Sequence, residues 1–97
     1  MNSKLKDENI DLLFNAVLCI ENLQECYDFF GDLCTVPELK AMAQRFTVAK
    51  MLKEGYVYSD IVEKTGASTA TISRVNRSLQ YGNDGYTSIF ERLDAKK

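Results

Sequence analysis

Tyr58-Ser59-Asp60-Ile61-Val62-Glu63-Lys64-Thr65-Gly66-Ala67-Ser68-Thr69-Ala70-Thr71-Ile72-Ser73-Arg74-Val75 is the stretch that decides the fold. It reads as two helices joined by a tight turn. A short first helix, about Ser59 to Thr65, is expected to turn Ile61 and Val62 inward, with its cap at Ser59 or beside Tyr58. Gly66 supplies the positive φ that a turn between two helices needs. Ser68 can offer a side-chain oxygen to the orphan amides of a second helix, which continues to about Tyr81. On that helix Ile72, Val75 and Leu79 fall at i, i+3 and i+7, a stripe that packs against the body of the molecule. Together these features lay out a helix-turn-helix.

The opposite face of the second helix carries Ala70, Arg74, Arg77 and Tyr81, with Thr69, Ser73 and Gln80 beside them. It is small at its start and basic further on. Small residues let a helix approach base edges in a major groove, N-terminus first. The hydroxyls of Ser68, Thr69, Thr71 and Ser73 can reach phosphates or bases. Lys64, Arg74 and Arg77 can neutralise phosphates, and an arginine can also read guanine. The expected DNA-binding set is therefore Lys64, Ser68, Thr69, Ala70, Thr71, Ser73, Arg74 and Arg77. A solvated polar face on a plain helical hairpin is the competing reading.

Charge sharpens this. The 97 residues carry a formal net charge of −2, which by itself speaks against a basic coat for nucleic acid. Split by position, residues 1–34 (with Lys4 and Lys6 as their only cations) sum to −5 and the remainder to +3. From Lys64 to Tyr81 there are three cations and no acid, so an acidic chain can still present a basic surface.

Outward from this motif the chain reads as all helical, with one proline and no clean period-two alternation. A first helix is expected from Asp7 to Ile20. A second runs from Leu23 to Leu33, with Asn22 and Glu25 spaced as a capping box. A third opens on the same device at Thr35-Val36-Pro37-Glu38, runs to Glu54 and stops at Gly55. Its apolar stripe is Leu39, Met42, Ala43, Phe46, Ala49 and Leu52. A last helix is expected from Thr87 to Leu93. The whole chain, 1–97, reads as one domain, with 1–54 as dimerisation helices, 58–81 as the helix-turn-helix and 87–93 as the closing helix.

The first two helices are too apolar for one buried face. Sixteen of the twenty-five residues from Ile10 to Cys34 are apolar, whereas a surface helix needs about 3 or 4 per two turns. A chain this short buries only about 65% of its unfolded surface, so a second copy is the expected cover: an intertwined homodimer. Cys19, Cys26 and Cys34 form no CxxC pair and read as reduced core residues. With no histidine, Ser-His-Asp and Cys-His enzymes are excluded, and neither a catalytic residue, a metal site nor a cofactor is expected. Acids break the N-terminal stretch where a signal peptide would be apolar, so no membrane partner and a cytoplasmic location are expected.

The residues from Leu33 to Tyr81 resemble the Trp repressor superfamily, most closely its TrpR-related YerC/YecD group. The likeness rests on Thr35…Glu38, Arg45, Leu52-Lys53-Glu54-Gly55, the run Gly66 to Arg74, and Ser78-Leu79. It implies an intertwined all-helical dimer that binds a palindromic operator in double-stranded DNA and represses transcription. The two recognition helices would then lie about 34 Å apart, one turn of DNA.

In tryptophan-sensing members of that superfamily two arginines sandwich the indole, and a glycine follows the second. Arg45 and Arg74 stand at the arginine positions here, and Thr35 and Ser78 match pocket-lining residues. Val75 stands where the glycine would be, and the loop Gly55-Tyr56-Val57-Tyr58 is one residue shorter, with two tyrosines able to fill a cavity. The effector pocket Thr35, Arg45, Arg74 and Ser78 is therefore not expected to take L-tryptophan, and Arg45 is expected in an ion pair or a water-mediated contact. A protein-interaction module that keeps a helix-turn-helix without using DNA is the alternative function.

Overall fold

The computed structural model describes residues 7–96. Lys4, Lys6 and the rest of residues 1–6, together with Lys97, lie outside the described residues. Six helices follow in order: α1 (Glu8–Val17), α2 (Leu23–Leu33), α3 (Val36–Lys53), α4 (Tyr58–Thr65), α5 (Thr69–Tyr81) and α6 (Gly85–Ala95). No strand occurs among the described residues. The chain divides into two compact units, Met1–Leu39 and Lys40–Lys97.

In the first unit, local side-chain chemistry sets the helix ends. The Asp7 carboxylate accepts from the Ile10 amide at 2.7 Å and opens α1. The α1 helix ends at Val17, short of the expected Ile20. Cys19 and Ile20 donate to the carbonyls three residues back, Ala16 and Val17, and this tightening stops the helix. Asn22 caps α2 through the Glu25 amide at 2.9 Å, while the Glu25 carboxylate reaches back to the Glu21 amide at 2.8 Å. At the start of α3 the box is reciprocal. The Glu38 amide donates to Thr35 Oγ1 at 3.2 Å, and the Thr35 amide donates to Glu38 Oε1 at 2.8 Å. The Thr35 amide first, and the Thr35 hydroxyl second, favour the charged Glu38 carboxylate and hold it below its ordinary range.

No residue of α1 or α2 is fully buried. Leu12, Leu18 and Leu23 are 71%, 81% and 70% exposed, and Tyr27 and Val36 also stand open. Cys19 is exposed, and Cys26 and Cys34 are only half-buried, so the expectation of three core cysteines is corrected for this chain. All three are free.

The core lies in the second unit. Val48, Ala49 and Met51 of α3, Ile61 of α4, Ala67 of the turn, Ile72 and Val75 of α5, and Phe90 of α6 are buried together. Phe46, Leu52, Leu79 and Tyr86 pack against them. Full burial of Ile61, Ile72 and Val48 stabilises the unit by about 1.5–3 kcal/mol each. Phe46, Tyr86 and Phe90 make a ring cluster, with Phe46 and Phe90 centroids 5.1 Å apart.

Five expectations change here. The buried side of α3 includes Val48 and Met51, which the stripe omitted, while Met42 and Ala43 are exposed. Ile61 is inside, but Val62 faces solvent, because an eight-residue helix turns only one narrow edge inward. The α4 helix starts at Tyr58 after Val57 and has no side-chain cap, so Ser59 lies inside its first turn. The α6 helix begins at Gly85, two residues early, because Asp84 adopts φ 61° and turns the chain directly into it. Aspartate tolerates that left-handed conformation better than most side chains. It also runs past Leu93 to Ala95.

Candidate nucleic-acid interface

The turn of the helix-turn-helix is built by four residues. Gly66 has φ 72° and its amide closes α4 on the Val62 carbonyl at 2.9 Å. Thr65 Oγ1 accepts from the Ala67 amide at 3.1 Å and donates to the Ile61 carbonyl at 2.7 Å. Ala67 is then buried, and Ser68 Oγ accepts from the Thr71 amide at 3.1 Å to start α5. From the other side, the Gln44 amide of α3 donates to the Thr65 carbonyl at 3.1 Å. Hydrogen bonds thus tie the turn to the end of α4, and the end of α4 to α3.

Ile72 and Val75 lock one face of α5 into the core, which leaves the opposite face open. Thr69, Ala70, Ser73, Arg74, Arg77, Gln80 and Tyr81 are all exposed, and Tyr81 is 82% so. Neither arginine forms an ion pair among the described residues, where Lys50–Glu54 at 3.2 Å is the one such pair. Two charges on an acid-free helix face therefore project into water uncompensated.

Not every expected residue shares that face. Thr71 is half-buried, and its hydroxyl accepts a hydrogen bond from Ser68 at 3.1 Å, so both hydroxyls serve the helix start. Lys64 lies in the last turn of α4, its ammonium 5.7 Å from the centre of the Tyr56 ring. Asn76, which the sequence did not single out, donates to the Tyr58 hydroxyl at 3.4 Å and ties the start of α4 to the middle of α5.

The residues of the expected effector pocket have local occupations. Thr35 is engaged in the α3 cap. The Ser78 hydroxyl donates to the Arg74 carbonyl at 3.4 Å. Arg45 is half-buried on α3 and has no carboxylate partner among the described residues, so of its two expected contacts the ion pair is not formed there. Val75 is 3% exposed, so its methyls fill the core next to Ile72. Tyr56 and Tyr58 do not fill a cavity: both remain exposed, one beneath Lys64 and one bonded to Asn76.

No helix of the described residues is long and apolar enough to cross a membrane, and none of their Cys, Asp or Glu side chains cluster as a metal site.

The family model described as Trp repressor protein matches residues 8–94. The uncharacterized protein YerC of Bacillus subtilis (strain 168) is 53% identical over 90 residues, covering 93% of this chain and 86% of its own. A crystal structure of a Trp repressor candidate from Staphylococcus aureus superposes with a TM-score of 0.91 at 56% identity, covering 97% of this chain and 95% of that one. A TrpR-like protein from Eubacterium eligens ATCC 27750 gives 0.92 at 61% identity, covering 96% of each chain.

Proposed function

The chain belongs to the Trp repressor family and its YerC-related group, a family of regulators rather than enzymes, and from there we propose that it is a dimeric repressor that binds palindromic operators in double-stranded DNA. The observation that carries this reading is the outer face of α5: exposed, free of acids, small at Thr69 and Ala70, and basic at Arg74 and Arg77. Thr69, Ala70 and Ser73 approach the base edges, Arg74 reads a base or holds a phosphate, and Arg77 holds a phosphate. Lys64 adds charge from α4. Ser68 and Thr71 act by fixing the start of α5.

Residues 1–54 pair the two chains, 58–81 meet DNA, and the closing helix completes the core. The pairing is supported by the first unit, whose described residues include none that is fully buried and which leaves Leu12, Leu18 and Leu23 in water. Apolar exposure on that scale is covered by a partner in stable proteins.

The repressor works without L-tryptophan. Support comes from Val75, whose side chain is packed in the core immediately after Arg74. Calorimetric titration should show no heat of binding for L-tryptophan; micromolar binding would overturn this part. Thr35, Arg45, Arg74 and Ser78 then carry no indole.

Sequencing of genomic DNA captured by the purified protein tests the whole reading. Enrichment of inverted repeats spaced by about one helical turn is the expected result. A stable dimer that retains no DNA at low salt would favour the protein-interaction alternative instead.

A further inference from the structure

The stripe Lys40, Ala43, Gln44 and Thr47 of α3 faces the last turn of α4 across an open groove of about 380 Å³, whose opposite wall is Lys64 and Thr65. Spacings of three, four and seven place the α3 residues on one side of the helix. The groove has two ammonium groups, an amide and two hydroxyls, and no carboxylate lines it. Neither lysine forms an ion pair among the described residues. Ala43 keeps the floor low between them. The Gln44–Thr65 hydrogen bond at 3.1 Å holds the two walls in register.

We propose that this groove is a phosphate-binding site, with Lys40 and Lys64 supplying the charge and Thr47 the neutral donor. An apolar or cationic guest would leave both ammonium groups facing an unsuitable partner, whereas a phosphate accepts from Lys40, Lys64 and the Thr47 hydroxyl, the Thr65 hydroxyl being engaged with the Ile61 carbonyl. The phosphate can come from the backbone of a bound duplex or from a small phosphate-bearing ligand. The duplex source rests on the DNA-binding reading; the small-ligand source does not. Lys40 and Thr47 belong to no part of the α5 face, so the site is separate from the recognition helix.

The test compares the full chain with Lys40→Gln and Lys40→Glu in two assays. In the first, affinity for a mixed-sequence duplex is followed against salt by fluorescence anisotropy. In the second, inorganic phosphate and pyrophosphate are titrated while amide resonances of Lys40, Gln44 and Lys64 are monitored. Loss of one phosphate contact lowers the slope of log affinity against log salt by about 0.9 in Lys40→Gln. That outcome identifies the duplex as the source. An unchanged slope, with pyrophosphate shifts at the groove that vanish in both variants, identifies a small ligand. A wild-type chain that ignores DNA but shows those shifts keeps this site and removes the DNA-binding reading. An unchanged slope together with no groove shifts overturns the proposal. Unaltered far-ultraviolet dichroism of the variants ensures that folding is not what changed.

Discussion

Val75 connects the core of the second unit to the question of an effector, and truncating it measures both. The side chain is 3% exposed, between Ile72 and the remaining buried residues of α3, α4 and α6. Val75→Ala deletes two buried methyl groups, at about 0.8 kcal/mol each in transfer free energy. Incomplete collapse of the vacated space adds about 1 kcal/mol, from the usual cost per unit of cavity volume. The expected loss is thus about 2–3 kcal/mol. Val75→Gly removes the last carbon as well and puts glycine mid-helix, which costs about 1 kcal/mol more than alanine, for a total of about 4 kcal/mol. A chain of this size has only about 5–15 kcal/mol in all, so the alanine variant is the quantitative one. The assay is equilibrium urea unfolding followed by far-ultraviolet dichroism at one fixed chain concentration, because dimer stability depends on concentration. A midpoint shift worth less than about 0.5 kcal/mol in Val75→Ala would refute the placement of this side chain in the core. The case against an indole beside Arg74 would fall with it.

Other outcomes follow from single contacts. Ser68→Ala removes the cap of α5 and should cost about 1 kcal/mol in the same unfolding assay, while Ser68→Asp should restore most of it. Leu18→Glu places a charge on the most exposed leucine among the described residues of the first unit; sedimentation equilibrium should fall from twice the 11.0 kDa chain mass toward one. Glu38 titrates below its ordinary range, so its contribution is present above the unfolded-state value and is lost as pH falls through the folded-state one. Glu38→Gln should therefore melt below wild type at neutral pH, and the gap should close as the medium is acidified through that range.

The sequence was most legible where local chemistry sets structure. Asn22 with Glu25, Thr35 with Glu38, and Gly66 with Ser68 each act within four residues, and the helix starts they mark stand where spacing placed them. The end of α1 was not legible, because Leu18-Cys19-Ile20 continues the apolar period past the point where three-residue hydrogen bonds tighten the chain. The α6 start hinges on the left-handed Asp84, a conformation that no pattern of apolar residues reports. For α3 the difficulty was different. Apolar side chains occur on several sides of the helix, so periodicity had no means of choosing Val48 and Met51 for the core over Met42 and Ala43.

The candidate site divides the same way. The open face of α5 follows directly from Ile72 and Val75 pointing inward, so Arg74 and Arg77 could be placed by counting. Thr71 could not, because its hydroxyl is drawn into the Ser68 cap. The Asn76–Tyr58 bond and the Lys40–Lys64 groove join residues eighteen or more positions apart. Such pairings depend on how α3, α4 and α5 pack, which spacing along one helix does not reveal.

The decisive measurement is the salt dependence of duplex binding for wild type and for Arg74→Ala/Arg77→Ala. Wild type should bind a mixed-sequence duplex at low salt, with affinity falling steeply as salt rises. The double variant should bind more weakly, with a slope lower by up to about 1.8 if both side chains hold phosphates. If affinity and slope are the same in both proteins, the outer face of α5 does not meet DNA, and the helix-turn-helix here serves another purpose.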